Sequence, residues 1–137
     1  MAAEKRKSQH VPKHEYRQYL VKAEEFGRMM QSAIDGQEWN AAGLMAVHCA
    51  ISANDAVVAF FGGKRSTSRD HVDAVKILMD CVVTKTTKQN ATHLARVIAK
   101  KNVIEYESRL FTKAEARAII DHAEKFLAWA QSMLPKK

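Results

Sequence analysis

The sequence predicts an all-α protein, an antiparallel up-and-down bundle of four or five helices, and three observations support that expectation. Glycine and proline are sparse, with Gly 5 and Pro 2 in 137 residues and both prolines near the chain ends, so turns are few and helices long. Apolar residues recur at three- and four-residue spacing, and no stretch alternates as a half-buried strand does. Finally, the stretch from Trp39 to Phe61, WNAAGLMAVHCAISANDAVVAFF, is apolar nearly all round a helical wheel. A helix with hardly any wet face must be wrapped by others, so this one is expected at the centre.

Taken in order, residues 1–12 are polar and basic and end at Pro12, which reads as a disordered tail ahead of a bundle domain over 13–134. The first helix is expected from about Lys13 to Asp35, with Tyr16, Tyr19, Leu20, Ala23, Phe26 and Met30 inward and Gly36 as its stop. The short link GQEWN suits an antiparallel neighbour. On the central helix Asn40 is the expected N-cap, and Gly62-Gly63 end it through left-handed conformations. The following GGKRSTS is a turn-like, phosphate-friendly loop.

A third helix from about Arg69 to Val83, capped by Ser68, would turn Val72, Val75, Leu78, Met79 and Val82 inward. A fourth would run from about Lys88 to Glu105, burying Ala91, Leu94, Ala95, Val97 and Ile98, with Val103 and Ile104 as further candidates. The clearest boundary is a capping box in which Thr112 caps and Glu115 reaches back. It opens a last helix from Lys113 to about Leu134, with Trp129 at the rim and Pro135 as the stop.

Hydrophobic residues at 47% and charged residues at 27% are ordinary for a globular chain. No window holds eighteen uninterrupted apolar residues, so no membrane span is expected. The basic N-terminus lacks a following apolar region, unlike a signal peptide, and the expected location is cytoplasmic. Cys49 and Cys81 are expected as reduced thiols, and no ligand spacing suggests a metal or cofactor. The net charge of +7 fits contact with a polyanion or an acidic partner.

His48, Ser52 and Asp55 stand at i, i+4 and i+7 and form one polar stripe along the central helix. Polar groups on such a rod must be paired internally or line a cleft. In the first reading the stripe is a satisfied core network. In the second, Asp55 meets the basic loop after the helix, giving a candidate pocket of His48, Ser52, Asp55, Arg65, Arg69 and His71.

The block AVHCAISANDAVVAFFGGKRSTSRDH and the ending KKNVIEYESRLFTKAEARAIIDHAEKFLAWA resemble a HEPN domain, from the first helix to Leu134. The resemblance implies a helical bundle. Many members are metal-independent ribonucleases or toxin-like partners of minimal nucleotidyltransferases, acting as homodimers that pair two R-x4-6-H motifs. The aligned segment has Lys101 where Arg belongs, Asn102 at the polar position and Tyr106 where His belongs. Lys can still hold a phosphate as a point charge, but Tyr, with a reference pKa of about 10, is a poor base at neutral pH.

The resemblance therefore implies a non-catalytic homodimer that binds nucleotide or RNA phosphate, or a nucleotidyltransferase partner. The alternatives are a metal-independent ribonuclease using Arg65 and His71 or a divergent Lys101/Tyr106 site, and an interaction module with an apolar rim of Trp39, Phe61, Phe111 and Trp129. A second literal motif match, Arg117 to His122, places its two residues about 140° apart around a helix, where they do not converge.

Overall fold

Short side chains make the central helix possible. The computed structural model describes residues 7–67 and 71–136 and places α2 at Trp39–Gly62. Ala42, Ala46, Ala50, Ala53, Ala56 and Ala59 are fully buried along it, and side chains this small let neighbouring helices approach closely. A 3-10 turn at Lys13–Glu15 leads into α1 (Tyr16–Asp35), which runs antiparallel to α2 because Tyr16 meets Phe60 while Phe26 meets His48. In the turn between them Gln37, not Gly36, takes the left-handed conformation, with φ 61°. By length and hydropathy α2 is the one helix among the described residues that could cross a membrane, yet 67% of that apolar window is buried inside the fold.

The last helix, α6 (Lys113–Met133), runs antiparallel to α1. Gln31 donates to Glu124 and Gln131 to Glu24, at 2.8 and 2.9 Å. Helix α4 (Thr87–Ile98) lies antiparallel to α6, joined by His93 to His122 and by Thr86 to Trp129. These long helices alternate in direction, and the core between them includes Met30, Val47, Val57, Leu94 and Phe126. The capping box forms as expected: Thr112 Oγ1 accepts from Glu115 N and Glu115 Oε1 accepts from Thr112 N, both at 3.1 Å. Arg109 grips the same carboxylate with two bonds of 2.8 and 2.9 Å.

Several expectations do not survive. Residues 8–12 are not a disordered tail: β1 (Ser8–His10) pairs antiparallel with β2 (Lys64–Ser66), with Gln9 opposite Arg65. Consequently Lys64–Ser66 is a strand rather than an open phosphate loop. The ordering has a hydrophobic anchor, since Val11 is buried and its N–H donates to Gly63 O at 3.0 Å. Gly63, with φ 62°, ends α2, while Gly62 stays helical.

Gly62 is needed for a different reason. A Cβ there would collide with Cys81 Sγ and stand 3.2 Å from Cys81 Cβ on α3 (His71–Cys81). Gly62→Ala is expected to lower stability by about 1–3 kcal/mol through overpacking, measured from urea midpoints. Adding Cys81→Ala should recover part of that loss. Equal losses in the two backgrounds would show that this contact is not limiting.

Helix α3 buries Ala74, Ile77, Leu78 and the following Val82, leaving Met79 exposed, so its inner face is rotated from the expected stripe. Packing against both α2 and α4 selects that face, and local spacing alone had not distinguished it. The expected fourth helix is two: α4 stops at Ile98 and α5 (Lys101–Tyr106) turns away. Continued straight, the helix would have carried Lys101 and Glu105 onto the inner face beside Leu94 and Ile98. The break instead lets Val103 and Ile104 pack against the core.

Asn40 does not cap α2. Its Oδ1 accepts the Phe111 N–H at 2.7 Å, and the helix begins without a side-chain cap. The first turn of α2 is reached by water, whereas the Phe111 N–H sits beside a buried ring, so the partner matters more there. Phe111 and Trp129 are both buried, Trp129 donating its indole N–H to Thr86 Oγ1 at 3.0 Å. The expected apolar rim therefore shrinks to half-buried Trp39 and exposed Phe61.

Candidate functional site

The polar stripe divides into two parts. Near the C-terminal end of α2, Asp55 is 5% exposed and meets Arg65 of β2, with Oδ2 to Nη2 at 3.4 Å. The Arg65 guanidinium also lies 5.5 Å from the Tyr19 ring centroid on α1. Burial pushes the Asp55 carboxyl up from 3.8 to about 6, and the charges of Arg65 and Lys22 oppose that rise. Ser52, one turn earlier, is buried on the same face.

His48 belongs elsewhere. It stands about 10 Å up the helix from Asp55, and its ring lies against Phe26 at 5.3 Å. Arg69 and the side chain of His71 lie outside the described residues, as does the Ser68 cap. Of the expected pocket, the structure brings together Asp55 and Arg65, adds Tyr19, and leaves His48 apart.

Chemically this pair behaves as a tether more than as an anion clamp. Arg65 makes one long bond to Asp55, and its Nε is buried without a partner among the described residues. A guanidinium already facing a buried carboxylate offers a phosphate much less net attraction than a free one. What the pair does is fasten the β1–β2 ribbon to α1 and α2.

The residues aligned with the family motif all lie on α5. Lys101 pairs with Glu105 at 3.1 Å and sits 5.7 Å from the Tyr106 ring centroid, while Asn102 and Tyr106 face solvent. Arg117 is exposed on α6, and His122 of the same helix bonds His93 instead of converging with it.

A basic feature lies where the 3-10 turn, which also carries Glu15, enters α1. Lys13, His14, Tyr16, Arg17, Phe60 and Pro135 line an open cavity of about 460 Å³, with no carboxylate among them. Lys13 Nζ stands 4.3 Å from the Phe60 ring centroid and Arg17 Cζ 5.7 Å from that of Tyr16. A second cavity of about 430 Å³ shares Tyr16, Arg17 and Pro135 and adds Lys136. The i, i+4 spacing of Lys13 and Arg17 was visible in the sequence. Phe60 joins them only because α1 and α2 run antiparallel.

Two further features complete the surface. A groove of about 530 Å³ between α1 and α6 passes Glu24, Gly27, Gln31, Glu124 and Gln131. On α4 and α6, His93 Nδ1 and His122 Nδ1 lie 2.9 Å apart. Burial and the neighbouring His122 lower the His93 pKa. No group of three or more His, Cys, Asp or Glu side chains among the described residues is placed to hold a metal ion. Cys49 and Cys81 are free, and burial pushes the Cys49 thiol up to about 12, which makes it unreactive.

Comparison with protein-family models and with curated protein sequences returns no match.

Proposed function

We propose that this chain is a non-catalytic, HEPN-like helical bundle that binds RNA or nucleotide phosphate at the basic end of α1. The observation that supports it is the carboxylate-free cavity lined by Lys13, His14 and Arg17 beside Tyr16 and Phe60. Cations placed next to the partly exposed Phe60 ring, with Tyr16 buried behind it, suit single-stranded nucleic acid, whose phosphates seek charge and whose bases stack. Arg65, paired with Asp55, contributes little to that attraction.

The non-catalytic part of the reading rests on α5. Its Lys101 is paired with Glu105, and its sequence KNVIEY contains no histidine to move a proton. A homodimer and a nucleotidyltransferase partner belong to the same proposal, with exposed Val21 and Met29 on α1 as an available contact surface.

The test is fluorescence anisotropy of a labelled single-stranded RNA at stepped salt concentrations. Lys13→Glu with Arg17→Glu is expected to weaken binding by about tenfold or more at low salt. It should also reduce the slope of log K against log salt by about 1.4, at about 0.7 per phosphate contact. The RNA should be recovered intact. Unchanged affinity in the double variant would refute the basic-end site, and cleavage would refute the non-catalytic assignment.

A further inference from the structure

The His93–His122 pair takes no part in the basic-end site, and its geometry has a second use. Both residues sit on helices locked in the core, by Ala91 and Leu94 on α4 and by Ile119, Ile120 and Ala123 on α6. The backbones that hold the two rings are therefore fixed relative to each other. Both rings are half-buried and keep an edge toward solvent.

Their Nδ1 atoms are 2.9 Å apart. Two nitrogens each about 2.0–2.1 Å from one ion, at a right angle, stand roughly 2.9 Å apart, whereas a tetrahedral angle spreads them to about 3.3 Å. Both nitrogens, now held together by a hydrogen bond, are thus within reach of one ion, and of the divalent ions that favour imidazole copper(II) binds most strongly.

We infer that His93 and His122 form a surface site for a divalent transition-metal ion, copper(II) preferred, with water in the remaining positions. Binding replaces the hydrogen bond between the rings by two metal–nitrogen bonds; the donor ring gives up its Nδ1 proton and takes one from solvent on Nε2, so both imidazoles stay neutral. The surrounding charges sharpen the selectivity. Lys125 acts on His93 and bridges to Asp121, and Arg96, Lys100 and Glu115 line the cavity that His122 enters, Lys100 being paired with Glu115 at 3.8 Å. The carboxylates nearby, Asp121 and Glu115, are already paired, so magnesium and calcium, which need several oxygen ligands, find too few, and bonding to imidazole decides. Asp121, whose charge acts on both rings, partly offsets the nearby cations.

The experiment is a copper(II) titration of the untagged full chain in excess glycine, a weak competing chelator, followed by electron paramagnetic resonance. One equivalent is expected to bind with hyperfine structure from two imidazole nitrogens, and nickel(II) should bind more weakly. His93→Ala and His122→Ala should each lower affinity at least about tenfold with unchanged circular dichroism, while His14→Ala should leave it intact. Magnesium should neither bind nor compete. Copper binding that survives both His93→Ala and His122→Ala, or no binding by the parent chain, overturns the assignment.

Discussion

Arg65→Met is expected to cost about 2–3 kcal/mol of folding stability at pH 8 and much less at pH 5, read from urea unfolding at each pH. The asymmetry follows from its partner. Asp55 is almost completely buried, so at pH 8 the variant must either hold an ionised carboxylate with no guanidinium opposite it or take up a proton there. Protonating a carboxyl of pKa about 6 at pH 8 costs about 3 kcal/mol, which sets the ceiling on the penalty. At pH 5 the carboxyl, raised to about 6, is mostly protonated in the folded protein, and Arg65 already faces a neutral group. What is lost there is mainly its contact with the Tyr19 ring.

The same carboxyl shapes the parent protein's own pH profile. Its folded-state pKa of about 6 lies above the ordinary 3.8, so between those values the folded chain holds a proton that the unfolded chain releases. Asp55 therefore contributes most stability below about pH 4, and that contribution falls as the pH rises through 6. At about 1.4 kcal/mol per tenfold change in proton affinity, the loss is on the order of 3 kcal/mol by pH 7. Asp55→Asn should abolish this descending segment and be no less stable than the parent at pH 7. An equal cost of Arg65→Met at both pH values, together with an unchanged profile in Asp55→Asn, would remove the ion pair from the account.

Why some of this could be read from the sequence and some could not is a question of range. The capping box at Thr112–Glu115 rests on contacts three residues apart, and the burial of α2 on its own composition, so both were readable directly. Asp55 and Arg65 stand ten residues apart across one helix end, close enough for their meeting to be expected. The pairing of Ser8–His10 with Lys64–Ser66 joins distant segments whose own composition is polar and basic. The burial of Val11 and the Asp55–Arg65 pair make it worthwhile, and both depend on the assembled bundle. His93 and His122 are likewise brought together by the antiparallel packing of α4 on α6, which no spacing within either helix announces. Phe111 and Trp129 look alike in sequence to any exposed aromatic residue. Their burial is set by glycine and threonine partners far along the chain.

Phe111 leads to the second large effect. Phe111→Ala is expected to destabilise the protein by about 3–5 kcal/mol, the usual range for emptying a buried aromatic site. The ring is 3% exposed and lies over Gly43, where an added Cβ would stand 2.9 Å from two of its atoms and 3.0 Å from Ile104 Cδ1. Gly43 is thus the floor on which both α5 and the segment leading to α6 rest. Gly43→Ala should by itself cost about 1–3 kcal/mol, because ring and methyl compete for one space. In the Phe111→Ala background the same methyl fills part of the cavity, so its effect should vanish or change sign, giving a coupling of at least about 1 kcal/mol in a double-mutant cycle. Amide exchange supplies an independent reading of the same joint. The Phe111 N–H, held by Asn40 Oδ1 at 2.7 Å, should be protected in the parent and lose protection in Asn40→Ala. Additive costs for Gly43→Ala and Phe111→Ala would mean that the ring does not rest on that glycine. The approach of α5 to α2 would then have to depend on Val103 and Ile104 alone.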